Sequence, residues 1–232
     1  MSEIFNIFPT TIYADRVENH FAFKELYYDL YSKYDYVENE RSNTVSEGQV
    51  DVDPLLHLEP TLYPLFGEII SHDKKYVLEI LEYKDIFNYA ITKSWISRAR
   101  DNKEIPWHIH STSQISFAYY VNMPPDSHQI QFANSNISNE FFGGINRENK
   151  HGYHDREMVK EYNPLNAQSF FMSPPEGSII LFPSNTQHST KAMEGFEGER
   201  LAIVGDVTLT LKEDQLNYST GYIDPRYWKL FN

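Results

Sequence analysis

The sequence of 232 residues contains no cysteine. This absence excludes disulfide bonds, thiolate nucleophiles, iron–sulfur clusters and cysteine-bound zinc. A metal site in this chain must therefore be built from histidine and carboxylate side chains. No run of about 18 apolar residues is present, so we expect no membrane span. The opening MSEIFNIFPTTIY lacks a basic leader and a long apolar run, so we also expect no secretory signal.

Basic residues are also scarce, with 20 Lys and Arg against 33 Asp and Glu and a formal net charge of −13. Because binding to a phosphate backbone needs clustered Lys and Arg, we expect no nucleic-acid partner. Aromatic residues are plentiful instead, at 15% of the chain. They are mostly Tyr and Phe, which favour broad, half-buried sheet surfaces.

The first ninety residues have a mixed, partly helical pattern. Apolar residues recur at helical spacing over residues 19–34 and 61–81. Pro64 falls in the first turn of the second of these helices, where proline is tolerated. Residues 37–54 are polar and rich in turn formers, so we predict a loop there.

After residue 90 the pattern changes to short strands. Runs rich in Ile, Val, Phe and Tyr alternate with turn residues, as in a β-sandwich or jelly roll. We predict one domain over residues 1–232, in which N-terminal helices pack on one sheet of a mainly β fold. A polar insertion, residues 134–168, is a candidate lid over the jelly-roll core. The predicted strands are 91–97, 105–110, 115–122, 128–133, 178–182 and 200–211.

One stretch, IPWHIHSTSQISFAYYV at residues 105–121, holds two histidines one residue apart. Side chains at i and i+2 of an extended segment share a face, so His108 and His110 can converge on one point. They are either two ligands of a metal or polar residues on a wet surface. Downstream, a buried-looking strand leads through a loop to His188, and Arg200 opens a further strand.

As a set, these elements resemble the Fe(II)/2-oxoglutarate-dependent dioxygenases. In that superfamily a double-stranded β-helix, a cupin-like jelly roll, holds iron with a His-x-carboxylate motif and a distal His. An Arg beyond the distal His pairs the far carboxylate of the co-substrate. The chain is more closely similar to a subgroup of 2OG-Fe(II) oxygenases common in marine bacteria and their phages. The matching elements are Trp95, His108 and His110, the run 115–121, Phe182-Pro183-Ser184, His188 and Glu199-Arg200.

The resemblance implies an iron enzyme that hydroxylates its substrate with molecular oxygen and converts 2-oxoglutarate to succinate. Fe(II) would be held by His108, His110 and His188, and Arg200 would anchor 2-oxoglutarate. Strand alternation places Tyr120 and Ala202 beside that co-substrate. The resemblance also implies a cytoplasmic protein of a bacterium or of a phage-infected host cell. Trp95, Trp107 and Ser116 are candidates for the substrate pocket.

The chain departs from the family pattern at the second histidine. The superfamily usually has Asp or Glu where His110 stands, and three neutral imidazoles leave both positive charges of Fe(II) uncompensated. Asp206 or Glu104 is therefore an alternative third ligand. The subgroup also tends to have Gly at Phe117, Ser at Ala202 and Asn at Asp206, which affects the expected details of the pocket.

Two other functions remain open on the sequence alone. One is a three-His, cupin-like metalloprotein that does not use 2-oxoglutarate. The other is a non-catalytic β-sandwich with a structural or sugar-binding role. The substrate, a small molecule or a peptide side chain, is not determined, and a homodimer is one option for the assembly. Taken alone, Arg200 would pair with Glu197 or Glu199 at the surface, and we expect four further histidines at the surface: His20, His57, His72 and His128.

Overall fold

The structure is a computed structural model. It describes residues 3, 6–31, 36–38, 44–47, 55–100, 104–134, 160–191, 193–215 and 229. The candidate lid lies largely outside these residues, so the lid and the single domain stay predictions. No helix among the described residues is long and apolar enough to cross a bilayer.

Strands dominate the described residues, as the alternating pattern after residue 90 predicts. They are β1 (Tyr13–Arg16), β2 (Tyr36–Glu38), β3 (Thr44–Glu47), β4 (Phe87–Arg100), β5 (Ile105–His108), β6 (Ile115–Asn122), β7 (Gln129–Ala133), β8 (Ser169–Met172), β9 (Ser178–Pro183), β10 (His188–Lys191) and β11 (Glu199–Leu211).

Among the described residues, helices occur in the N-terminal part and in one short C-terminal turn. Helix α1 spans His20–Tyr31, and α2 spans Tyr63–Lys74 with Pro64 in its first turn. A π-helix, Lys75–Ile80, continues α2. Short 3-10 turns cover Leu56–Leu58, Pro60–Leu62 and Glu213–Gln215.

The strands form two antiparallel sheets. The major sheet has the order β1-β9-β6-β11-β4-β3-β2, and the minor sheet has the order β5-β10-β7-β8. The helices cover one face of the major sheet through an apolar core that includes Leu65, Phe66 and Ile203. Its other face packs on the minor sheet through a smaller cluster that joins Ala118, Tyr120 and Ala202 to Ile130 and Phe132. The predicted jelly roll with helices on one sheet is confirmed.

The predicted loop over residues 37–54 is wrong in part, because it includes β3 and most of β2. The strand β3 pairs with β4 through Thr44↔Ser97, and β2 pairs with β3. An edge strand gains its backbone hydrogen bonds from the neighbour that is already in place, so polar residues can join a sheet without an apolar pattern.

Two of the four histidines expected at the surface are buried instead. His20 is 8% exposed, and its Nδ1 lies 2.7 Å from the Tyr119 hydroxyl. His128 is fully buried against the Phe196 ring. The tertiary fold supplies Tyr119 beside His20 and Phe196 beside His128, and neither contact can be read from the neighbours in sequence.

Candidate metal centre

Three imidazoles meet between the two sheets. His108 ends β5 and pairs in register with His188, which opens β10. His110 follows two residues after His108, on the same side of the chain. One ligand atom from each ring lies within 4.8 Å of the other two. Two nitrogens bound to a single ion at about 2.1 Å are at most about 4.2 Å apart, so this spacing is close to what one ion requires.

The second ring nitrogen of each histidine is already engaged. Nδ1 of His108 lies 2.8 Å from the Pro106 carbonyl oxygen, and Nδ1 of His188 lies 2.9 Å from the Thr186 carbonyl oxygen. Nδ1 of His110 lies 2.5 Å from the Asp206 carboxylate. Carbonyl oxygens only accept hydrogen bonds, so the proton in the first two rings is on Nδ1. Nε2 is then left with a free lone pair, the form that binds a metal.

Burial keeps two of these rings neutral. It lowers the pKa of His108, and it lowers the pKa of His188 to about 3, with the neighbouring His108 contributing further. Metal ligation requires neutral imidazole. At neutral pH both rings are therefore ready to bind without losing a proton.

The Phe182-Pro183-Ser184 motif contacts two of the three histidines. The Phe182 ring packs edge-on against His188, with centroids 4.7 Å apart. The Ser184 carbonyl oxygen accepts a hydrogen bond from the His110 backbone N–H at 2.9 Å. Trp95 also lies beside the three histidines, with its ring centroid 5.5 Å from that of His110. This motif therefore ties the strand before the distal histidine to the histidine pair.

Asp206 lies behind His110. Its side chain is buried, and besides the contact with His110 it accepts a hydrogen bond from the Ser116 hydroxyl at 2.8 Å. Burial alone would raise the pKa of this carboxyl, but the hydrogen bonds from His110 and Ser116 hold it below its ordinary value. The mutually close ligand atoms found among the described residues are three imidazoles and no carboxylate. Glu104 is exposed.

Arg200 is buried, and no anionic side chain among the described residues pairs with it. Its side chain is 2% exposed, and Nε and Nη1 have no hydrogen-bond partner among the described residues. The guanidinium carbon lies 5.0 Å from the centre of the Tyr120 ring, and the Tyr120 hydroxyl is buried and also lacks a partner. The expected surface ion pair with a neighbouring glutamate is wrong, because Glu199 faces Arg98 at 3.6 Å.

The other predicted site residues are divided between the site and its surroundings. Ala202 and Tyr120 belong to the apolar cluster between the sheets, on the face of β11 and β6 that carries Arg200 and Ser116. Ser116 is 1% exposed and hydrogen-bonded to Asp206, so it supports the centre rather than lining an open pocket. Trp107 is 43% exposed and alternates with His108 along β5, so the geometry does not bring it to the imidazoles.

Phe117 lies on the helix-covered face of the major sheet, away from the imidazoles. It is paired in register with Gly205, and a Cβ on that glycine would lie 2.5 Å from the Phe117 ring. The ring thus occupies the space left by the missing side chain. The change from the glycine typical of the subgroup therefore leaves the pocket unaffected.

Comparison with known proteins agrees with this geometry. Residues 93–206 match a family model described as "Putative 2OG-Fe(II) oxygenase". This region contains the three histidines, Arg200 and Asp206, and it belongs to the 2OG-Fe(II) oxygenases. The match confirms the predicted class of enzyme, an oxidoreductase that uses iron and 2-oxoglutarate. The narrower resemblance to the marine and phage subgroup stays a prediction, and no curated protein matches the chain.

Solved structures share the fold at low sequence identity. The α-ketoglutarate-dependent epimerase SnoN from nogalamycin biosynthesis matches at a TM-score of 0.55 and 10% identity, over 90% of this chain and 84% of that chain. HygX from Streptomyces hygroscopicus, with nickel and 2-oxoglutarate bound, matches at a TM-score of 0.53 and 11% identity. That match covers 86% of this chain and 83% of HygX. A 2OG-Fe(II) oxygenase family member from Burkholderia pseudomallei matches at a TM-score of 0.44 and 11% identity. The match covers 85% of this chain and 66% of that chain.

Proposed function

We propose that this protein hydroxylates a small molecule or a peptide side chain, with Fe(II) held by His108, His110 and His188. The observation that carries the proposal is the shared orientation of the three rings. Each Nδ1 is hydrogen-bonded outward, and the ligand atoms lie within 4.8 Å of one another. Three ligands on one face of an octahedral ion leave positions open for a bidentate co-substrate and for oxygen.

Arg200 and Tyr120 are the proposed anchor for 2-oxoglutarate. A buried guanidinium without an anion is costly, and that cost is relieved when a carboxylate binds. The free N–H groups of Arg200 and the free hydroxyl of Tyr120 can all donate to such a carboxylate. Ala202 is small and fully buried on the same strand face, which leaves room for the co-substrate and keeps water out.

The chemistry supplied by bound iron is the oxidation of a C–H bond by molecular oxygen, coupled to the loss of carbon dioxide from 2-oxoglutarate. One oxygen atom enters the hydroxylated product, and the other enters succinate. The protein's own groups hold the co-substrate, orient the ligands and exclude water. A cupin-like metal site without 2-oxoglutarate would give the buried, anion-free Arg200 no role, so the geometry favours the oxygenase.

Anaerobic addition of Fe(II) and then 2-oxoglutarate tests this function. The parent protein should develop the metal-to-ligand charge-transfer band of the chelated co-substrate. His188→Ala and His108→Ala should both abolish it. His57→Ala is the matched control, because His57 pairs with Ser94 and is not among the three imidazoles of the centre. A parent protein that gives no band, or a band that survives in His188→Ala, would refute the proposal.

Arg200→Met tests the anchor separately, since it keeps much of the side-chain volume and removes the donors. Loss of one partner of a buried charged pair costs at least 2 kcal/mol, so 2-oxoglutarate should bind about 30-fold more weakly or worse. Fe(II) alone should still bind. Unchanged 2-oxoglutarate affinity would show that the anchor lies elsewhere.

A further inference from the structure

We propose that Asp206 is a positioning residue that acts on the metal through His110, fixing the orientation of that ring and supplying the negative charge that three imidazoles lack. The inference rests on the proposed function only for the assignment of His110 as a metal ligand. It gives Asp206 a role different from direct ligation.

The first support is the contact itself. The Asp206 carboxylate accepts from His110 Nδ1 at 2.5 Å, across 96 residues of sequence. The other two ligand histidines bond to backbone carbonyl oxygens, which carry no net charge. Within the described parts of the chain, His110 is the one of the three that is backed by a carboxylate. A carboxylate behind a ligating histidine fixes the ring and raises the electron density on the ligating nitrogen.

The second support is that Asp206 is built into the fold by other groups. It is 2% exposed, and Ser116 donates to the same oxygen that His110 contacts. The Ser116 hydroxyl lies 2.9 Å from that of Ser184, which in turn receives a hydrogen bond from Ser113. This row of hydroxyls holds the carboxylate against His110, so its position does not depend on a mobile surface side chain.

The third support is charge. Three neutral imidazoles bring no negative charge to a divalent ion, whereas a carboxylate one ring away partly compensates for it. Direct ligation by Asp206 would require the carboxylate to move, because its oxygens are not among the mutually close ligand atoms and Oδ1 is engaged by His110 and Ser116. His110 would then lose the acceptor that directs its Nε2 inward. The geometry therefore assigns ligation to His110 and charge to Asp206.

The experiment is a titration of the full-length protein with Co(II), followed by anaerobic measurement of the Fe(III)/Fe(II) midpoint potential. Asp206→Asn keeps an oxygen that accepts from Nδ1–H and removes only the charge. Its Co(II) affinity should fall about 10- to 100-fold, and its midpoint potential should rise, because the oxidised ion loses more from the missing charge. Asp73→Asn, which alters a buried carboxyl in α2, is the matched control and should retain the parent values.

Two further measurements separate positioning from a structural effect. In metal-free, ¹⁵N-histidine-labelled protein, the parent His110 should be protonated at Nδ1, and Asp206→Val should shift it toward a mixture of tautomers. His110→Ala should lose tight Co(II) binding although Asp206 is present.

Parent-like affinity and potential in Asp206→Asn would overturn this inference alone, as would parent-like Co(II) binding in His110→Ala. A parent protein that binds no Co(II) would overturn the proposed function and this inference together. If the Asn variant does not fold, the tautomer of His110 in the parent decides: protonation at Nε2 would contradict the inference.

Discussion

Two aspartates are buried on opposite faces of the major sheet, and their surroundings differ. Asp206 faces the minor sheet and is hydrogen-bonded to His110 and Ser116. Asp73 lies in α2 on the helix side, fully buried, and neither of its carboxyl oxygens has a hydrogen-bond partner within the part of the chain that the structure describes. The pKa of Asp206 is below its ordinary value, whereas burial raises the pKa of Asp73 to about 8.

The comparison shows that partners, rather than depth, decide the charge of a buried carboxyl. Where donors are in place, the fold retains a carboxylate, and this occurs beside the candidate metal centre. Where none are in place, the carboxyl stays protonated at neutral pH and contributes nothing that we can identify. The helix side of the sheet therefore carries a cost in stability that the metal side avoids.

The largest expected effect comes from Asp73→Asn. Below pH 3.8 the folded and unfolded chains both hold the proton, and between about pH 4 and 8 only the folded chain does. The folded state then binds more protons than the unfolded state, so the parent loses stability as the pH rises through this range. The neutral amide removes that loss, and we expect a gain on the order of 4 kcal/mol at pH 7.

Urea denaturation of the parent and Asp73→Asn at pH 4.5, 6 and 7.5 measures this gain. The difference in unfolding free energy should be small at the lowest pH and should grow with each step. A constant difference across the three values would mean that Asp73 does not stay protonated in the folded protein.

The second prediction uses valine at both positions, because valine offers no acceptor. Asp206→Val leaves the His110 N–H and the Ser116 hydroxyl buried without their acceptor, which should destabilise the metal-free protein by about 3 kcal/mol. Asp73→Val removes a group that has no partner and should not destabilise it. Denaturation at pH 7 gives both values. Equal destabilisation by the two variants would contradict the claim that partners, rather than burial, make the difference.

The sequence predicted the convergence of the three histidines better than it predicted the groups that support them. Residues i and i+2 of a strand share a face, so His108 and His110 could be paired without tertiary information. The likeness of the spacing to a known family then added His188 and Arg200. The contact of Asp206 with His110 could not be predicted in the same way, because it spans 96 residues and depends on the register of β11 against β6.

The buried Asp73 did leave a signal in the sequence that periodicity could have found. It stands three and four residues after Ile70 and Ile69 and three and four residues before Tyr76 and Val77, which places it on the apolar stripe of the helix. The edge strand β2 and the adjacent β3 left no comparable signal. The strand β3 pairs with β4, and β2 pairs with β3, so the neighbouring strands rather than their own alternation determine their pairing.

The smallest effects should come from two hydroxyl deletions that carry the comparison down to single atoms. Ser116→Ala removes a hydroxyl that donates to Asp206, and we expect a loss of about 1 kcal/mol in the free energy of unfolding. Tyr89→Phe removes a hydroxyl that is buried, has no hydrogen-bond partner among the described residues and lies near Asp73. Because no hydrogen bond is lost there, this variant should match the parent or be slightly more stable. Urea denaturation of the two variants and the parent at pH 7 measures both effects. If Tyr89→Phe lost as much unfolding free energy as Ser116→Ala, the Tyr89 hydroxyl would have a hydrogen-bond partner. The contrast between the two faces of the sheet would then be lost.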